Sequence, residues 1–406
     1  MNLKFLPTII VKYLLRSIYF IVVLLFPINK KKVTFASYRS SKLEGNLKYV
    51  YQEMASQYPD YQYHFFIKKF KGSIWGRIEY IFHMLKSIYA IATSKYFIID
   101  DYYFPIYVIK PRGGTEIIQL WHAVGAFKKF GLSTVNKSFG PSKDYLRHVK
   151  VHSNYSKVYV SGENVVPYYA EAFGMEESKI YPLGVPRTDF FFDFDRVREA
   201  NEKFYVEYPE MINKKVLLYA PTFRGSSHAP DNFSCPIDIG ILRKILGDEY
   251  ALIIHLHPYM KKKSWIKEED QNFAFLIDEK YTIEELMVVA DILITDYSSI
   301  IFDYSLLERP IIFYANDLQA YLQERDFYFE YRNFIPGPLF DETTTLGDWI
   351  LNEKYDLTKI TEFKRSFFDY LDGSSAKRIV DHIHGKDAVK IGQTSPRKSP
   401  ELISKP

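Results

Sequence analysis

Histidines at the ends of apolar runs are the first residues of this sequence with the chemistry of a catalyst. QLWHAVGAFKKFG, residues 119 to 131, carries His122 where an apolar strand gives way to a glycine-containing turn. From there an imidazole of ordinary pKa, about 6.5, can take a proton from an attacking hydroxyl near neutral pH. Lys128 and Lys129 follow closely enough to draw in an anionic acceptor or product. The same segment also reads as a hydrogen-bonded turn histidine beside solvated lysines. HLHP, residues 255 to 258, repeats the placement, with His257 the better placed to leave the strand and donate to a phosphate. A satisfied strand-end histidine is the plainer alternative.

DILITDYSSIIFDYSLLERP, residues 291 to 310, sets Asp296, Tyr297, Ser298 and Ser299 between an apolar strand and a helical stretch. Unpaired backbone N–H groups at a helix start, with two hydroxyls, can cradle a phosphate, and helix capping by Asp296 or Ser298 uses the same groups. Asp303 reads either as an orienting group for the serines or as half of an exterior ion pair. In YAPTFRGS, residues 219 to 226, Arg224 can clamp a phosphate bidentately or make an ordinary ion pair. Arg187 and Asp189 in GVPRTDFF, residues 184 to 191, read as organisers of a chain crossover.

The elements that must position these residues alternate. Strands are expected at 31–37, 63–69, 95–100, 115–123 and 157–162, with 180–190 closing the first unit, then at 214–223, 250–258, 273–278, 291–296 and 310–317. Helical stretches are expected at 45–57, 78–93, 163–173, 237–246, 282–290, 298–307 and 360–370. Near-continuous apolar strands separated by helices imply parallel sheets covered on both faces. The pattern restarts near residue 214, which gives an N-terminal segment 1–29, a first lobe 30–190, a linker 191–213, a second lobe 214–385 with bracing helices, and a flexible tail 386–406. Two such sheets would place a cleft at their carboxyl edges.

Composition narrows the function. The 406 residues carry 47% hydrophobic and 25% charged residues, so the chain folds as two globular lobes rather than as a disordered or collagen-like polymer. A net charge of +4 is too small to mark a nucleic-acid binder. One cysteine, Cys235, excludes an internal disulfide and a cysteine-rich metal cluster. There is no HExxH spacing, no GxxxxGK[ST] loop and no well-placed GxGxxG, so no metal site, ATPase or nicotinamide enzyme is expected. Phe5 to Ile28 is largely apolar but interrupted by Lys12 and Arg16 and followed by Lys30, Lys31 and Lys32. That pattern favours a helix lying in the membrane interface, with a span or a helix docked on the fold as alternatives.

Taken together, QLWHAVGAFKKFG, GVPRTD, YAPTFRG, HLHP and ITDYSSIIFDYSLLERPIIFY resemble the CDP-glycerol glycerophosphotransferase family, the teichoic-acid primases and polymerases, over roughly residues 30 to 370. The resemblance implies two Rossmann-like lobes in a GT-B-like arrangement, the first on the acceptor side and the second binding the CDP donor. It implies transfer of glycerol phosphate from CDP-glycerol to a hydroxyl of a lipid-linked saccharide or polyol-phosphate polymer, with release of CMP. CDP-ribitol is the close rival donor. His122 would match the family's base and His257 its pyrophosphate-recognising histidine. Ser298 and Ser299 would match the phosphate-cradling residues, with Lys128, Arg224 and Asp303 as further substrate contacts and Arg187, Asp189 and Asp296 as supports. No cofactor is required on this reading, although a divalent cation could stimulate transfer. The expected location is the cytoplasmic face of the bacterial membrane, against an anionic surface. The AVGAFKKFG continuation differs from the Thr-Pro-Leu-Lys type of the polymerases, which bears on the acceptor. A sugar-nucleotide glycosyltransferase on the same scaffold and a nonenzymatic glycan-binding protein are the competing readings.

Overall fold

A computed structural model describes residues 3–69, 73–224, 235–256, 260, 266–277, 280–352 and 355–386. Its described residues form two compact units, one within Met1–Arg187 and Ser374–Gly392, the other within Thr188–Gly373. Each is built on a six-stranded parallel sheet covered by helices, the two-lobed α/β plan expected from the alternation and the GT-B-like class implied by the resemblance.

The first sheet contains β1 (Asn29–Ser37), β2 (Gln62–Ile67), β3 (Ser94–Ile99), β4 (Glu116–Gln119), β5 (Lys157–Tyr159) and β6 (Ile180–Tyr181), in the order β2-β1-β3-β4-β5-β6. Val33, Phe35, Ile98 and Ile118 are fully buried from these strands, and the helix Gly45–Gln57 covers them with Leu47, Val50 and Met54. The strand order reverses between β1 and β3, so the chain leaves the carboxyl ends of β1, β3 and β4 around one switch point.

The second sheet contains β7 (Lys215–Tyr219), β8 (Tyr250–Ile254), β9 (Ala274–Leu276), β10 (Ile292–Thr295), β11 (Ile311–Tyr314) and β12 (Leu339–Phe340), in the order β12-β11-β10-β7-β8-β9. Its switch lies between β10 and β7. Leu217, Leu252, Ile292, Ile294 and Ile312 are buried with Leu242 and Leu246 of the helix Ile239–Leu246. Each such fully buried aliphatic side chain contributes about 1.5–3 kcal/mol relative to exposure. Thr282 and Glu285 cap the helix Ile283–Val289 reciprocally, which accounts for its sharp start.

The boundaries differ from the sequence reading in several places. The units divide between Arg187 and Thr188, and residues 191–213 are no linker: Phe194–Glu207 is a helix that buries Val197, Ala200 and Phe204 in the second unit. The helix Ser375–Ile383 belongs to the first unit, because Ile379, Val380 and Ile383 join the core under β1, β3 and β4. The expected strand 115–123 stops at Gln119, where the backbone turns to carry His122. The tail beyond residue 386 lies outside the described residues.

The N-terminal helix Leu6–Leu25 has the length and hydropathy to cross a membrane. It is nevertheless docked on the first unit. Leu15, Tyr19 and Val22 are buried, Lys12 Nζ donates to the carbonyl of His148 at 2.6 Å, and Arg16 Nε donates to that of Val108 at 2.5 Å. Ile10, Phe20 and Leu24 lie on the exposed remainder at 58%, 63% and 67%. Of the basic run after it, Lys32 turns inward to Thr93, Lys31 pairs with Asp60, and Lys30 is exposed.

Candidate functional site

His122 owes its position to a strained neighbour. Trp121 adopts a left-handed backbone with φ 51, unusual for a bulky residue, and three hydrogen bonds hold that turn together. Trp121 N donates to Gln119 Oε1 at 2.8 Å, and the buried Asn46 donates from Nδ2 to the Trp121 carbonyl at 2.8 Å. The same Asn46 accepts from Arg187 N at 3.0 Å, which places Arg187 in the support of the turn through its backbone. The His122 ring stacks on Trp121 with centroids 4.5 Å apart, and Trp121 stacks in turn on Phe130. Downstream, Tyr169 and Ser161 donate to the carbonyls of Ala123 and Val124. At Gly131, with φ 57, a β-carbon would lie 2.3 Å from the Ala172 carbonyl oxygen, so glycine is required for the loop to close.

The end of β3 supplies the electrostatics. His122 Nδ1 lies 3.3 Å from the Asp100 carbonyl oxygen and 3.8 Å from Asp101 Oδ2. Asp100 is buried, and burial, reinforced by the charge of Asp101, pushes its carboxyl up to about 7. The imidazole itself is one-third exposed, open to a substrate while held from behind. Lys128 and Lys129 are half-buried in the same loop. Nearby His152 is held well below its ordinary value, at about 3, by burial, and its Nδ1 meets Tyr155 OH at 3.0 Å.

In the second unit Arg224, Asp296 and Asp317 follow the adjacent strands β7, β10 and β11. Arg224 Nε donates to Asp317 Oδ2 at 2.7 Å and Nη1 to Asp296 Oδ2 at 2.7 Å, while its guanidinium lies over the Tyr297 ring. Burial disfavours the charge, but hydrogen bonds and charge from Asp317 and Asp296 outweigh it and hold the guanidinium protonated. Asp296, almost wholly buried, also accepts from the backbone N–H groups of Thr222 and Tyr297. Its carboxylate therefore ties the β7 and β10 loops together instead of capping the following helix. Tyr297 donates to Asp317 at 2.7 Å and stacks on Tyr321 at 3.7 Å.

Ser298 and Ser299 lie half-buried at the start of the helix Ile300–Ser305. Ser298 Oγ accepts from Ile300 N at 3.4 Å, and Ser299 makes no side-chain cap. Asp303 is buried, so an exterior ion pair is ruled out. His255 Nδ1 contacts the Ile277 carbonyl at 3.1 Å, and His257 lies outside the described residues. Asp189 falls just past the division, in the second unit. The structure thus gathers Arg224, Asp296, Ser298 and Ser299 on one sheet edge, and His122 with Asp100 and Asp101 on the other sheet. Asn46, Gln119 and Asp317 escaped the sequence reading. Asp317 had a signal, a carboxylate closing the strand PIIFY, whereas Asn46 is 75 residues from the carbonyl it holds. Among the described residues no cluster of three or more His, Cys, Asp or Glu side chains is arranged for a metal ion.

The family model for CDP-glycerol:poly(glycerophosphate) glycerophosphotransferase matches residues 17–385. The chain is 44% identical over 378 residues to a teichoic acid ribitol-phosphate primase of Bacillus spizizenii, covering 93% of this chain and 96% of that one. It is 41% identical to a teichoic acid poly(ribitol-phosphate) polymerase of the same organism, covering 88% of this chain and 57% of the polymerase. A teichoic acid glycerol-phosphate primase of Bacillus subtilis is 32% identical, with 74% and 76% covered. A solved structure of the wall teichoic acid polymerase TagF superimposes with a TM-score of 0.73 at 24% identity, covering 91% and 92%, which establishes the shared fold.

Proposed function

Because this chain belongs to the CDP-glycerol:poly(glycerophosphate) glycerophosphotransferase family, we propose that it moves a polyol phosphate from a CDP-linked alcohol to a hydroxyl of a teichoic-acid acceptor, releasing CMP. It is a transferase of teichoic-acid synthesis. Glycerol phosphate from CDP-glycerol, the donor ranked first from sequence, is the reaction that names the family. The observation that carries the finer reading is the end-to-end likeness to a ribitol-phosphate primase, at 44% identity against 32% for a glycerol-phosphate primase. We therefore rank ribitol phosphate first as the transferred group and a single priming addition ahead of polymerisation.

In this reading His122 takes the proton of the acceptor hydroxyl as its oxygen attacks the β phosphorus. The Ser298–Ser299 turn and His257 hold the donor's phosphates, with Lys128 drawing in the acceptor. Arg224 acts by fixing the loops around that turn, its three nitrogens donating to Asp317, Asp296 and the Thr222 carbonyl. Positioning and electrostatics supply most of such a transfer, and no covalent enzyme intermediate is needed. No resident cofactor enters the scheme; stimulation by a divalent cation would register as a loss of rate in EDTA.

The chain associates peripherally with the membrane. The contact surface we assign is shared by the exposed side of Leu6–Leu25 and by Trp75 and Phe82 of the helix Ile74–Thr93, exposed at 76% and 62%. Anchoring of Lys12 and Arg16 to backbone carbonyls of the fold favours a helix lying along the bilayer over one crossing it. The cytoplasmic face follows from the nucleotide donor.

The test is a parallel incubation with CDP-ribitol and CDP-glycerol and a short lipid-linked saccharide, following acceptor mass. A gain of one ribitol phosphate supports the reading; a glycerol phosphate gain restores the other donor, and a ladder restores polymerisation.

A further inference from the structure

We propose that Asp101 is a positioning residue for His122, its carboxylate facing Nδ1 and holding the imidazole in the tautomer whose Nε2 receives the acceptor proton. The proposal rests on His122 being the base. Nδ1 faces two acceptors, the Asp100 carbonyl at 3.3 Å and Asp101 Oδ2 at 3.8 Å, so it carries the proton in the neutral ring and Nε2 keeps its lone pair. Asp101 is itself fixed. Its Oδ1 accepts from Tyr102 N at 2.6 Å, and its carbonyl accepts from Gln119 Nε2 at 3.1 Å. Gln119 is fully buried and also holds Trp121 N, so one side chain sets both Asp101 and the turn that presents His122.

Among the described residues, the charged groups near this ring include Asp100 and Asp101 at the end of β3 and Arg39, whose charge acts on Asp100, while Lys128 and Lys129 lie on the loop of His122 itself. Asp100 turns its carboxyl into the interior, where burial keeps it largely protonated up to about pH 7, and presents only its main-chain oxygen to the imidazole. Asp101 thus sets a carboxylate beside Nδ1, where it can balance an imidazolium. As the acceptor O–P bond forms, the hydroxyl proton passes to Nε2, the P–O bond to CMP breaks, and its electron pair leaves on the CMP phosphate. The imidazolium so formed then lies beside the Asp101 carboxylate until it releases the proton to solvent.

The experiment compares full-length wild-type enzyme, D101N, D101E and H122A with the productive CDP-polyol. For D101N a fall in kcat of roughly 100-fold is expected, within the range of general-base contributions, with donor KM changed less than about twofold. The acid limb of kcat/KM should move to lower pH, because the imidazolium loses its counter-charge, and D101E should recover part of both. ¹⁵N-histidine spectra, assigned by difference from H122Q, should show the Nδ1–H form in wild type and a mixture in D101N, a readout independent of turnover. Wild-type kcat and an unmoved acid limb in D101N, with H122A inactive, would overturn the role of Asp101 alone. So would a kcat loss in D101N with unmoved acid limb and tautomer. A fully active H122A would instead remove the base reading, and this proposal with it.

Discussion

At the scale of single residues, the candidate site of the first unit is a histidine held in place by groups distant in sequence. His122→Ala should lower turnover by about 10²–10⁴-fold while leaving donor binding and melting temperature near wild type; unchanged turnover would show that another group takes the proton. Asn46, buried and hydrogen-bonded at both ends of its amide, bridges the Trp121 carbonyl and Arg187 N. Its replacement by Ala should cost about 1–3 kcal/mol, the penalty of leaving such groups unsatisfied, and should lower kcat by freeing the Trp121 turn, as denaturant melts and steady-state kinetics together would reveal. Asp100 gives a pH signature. Its folded value, about 7, lies above the unfolded 3.8, so between these the native state binds the extra proton and stability falls as pH rises. Asp100→Asn should flatten the decline in melting temperature between about pH 4 and 7. An identical slope in wild type and variant would refute the assignment. The position of His122 just past an apolar run marks it as a candidate in the sequence, whereas Asn46 and Gln119 look like ordinary polar residues until the fold places them under the turn.

At the scale of elements, alternation was the readable signal. Apolar runs such as VLLY and ILIT mark strands buried on both faces, and β1, β7 and β10 lie where those runs predict. Ends were less legible because hydropathy continues past the strand: Trp121 is as apolar as β4 but belongs to the turn. β12 was missed because two residues are too few for a period, and Ser375–Ile383 because its partner lies far earlier in the chain. The N-terminal helix exposes a row of large apolar side chains, among them Ile10, Phe20 and Leu24. Changing Phe20 and Leu24 together to Ser should reduce sedimentation with anionic liposomes severalfold while leaving the melt unchanged, since both lie on the exposed side. Equal sedimentation would move the contact elsewhere. Replacing buried Leu15 by Ala should instead cost about 2–5 kcal/mol of stability.

At the scale of the whole molecule, two units repeat one plan: a parallel sheet with a switch point, and chemically competent side chains at its carboxyl edge. The first edge carries an imidazole with carboxylates behind it. The second carries hydroxyls and backbone N–H groups on a turn braced by Arg224, Asp296 and Asp317. That division suits a reaction in which one partner must lose a proton and the other must have its phosphates held. Fold and family belong together here, but fold alone leaves the bond that breaks undecided, since a sugar-nucleotide transferase can share the scaffold. The most direct measurement is the fate of the donor's β phosphorus. With CDP-ribitol or CDP-glycerol labelled with ³²P at that position, the account predicts label on the teichoic-acid acceptor and unlabelled CMP in solution. Label retained in a released CDP would contradict it, because the alcohol would then have moved without its phosphate.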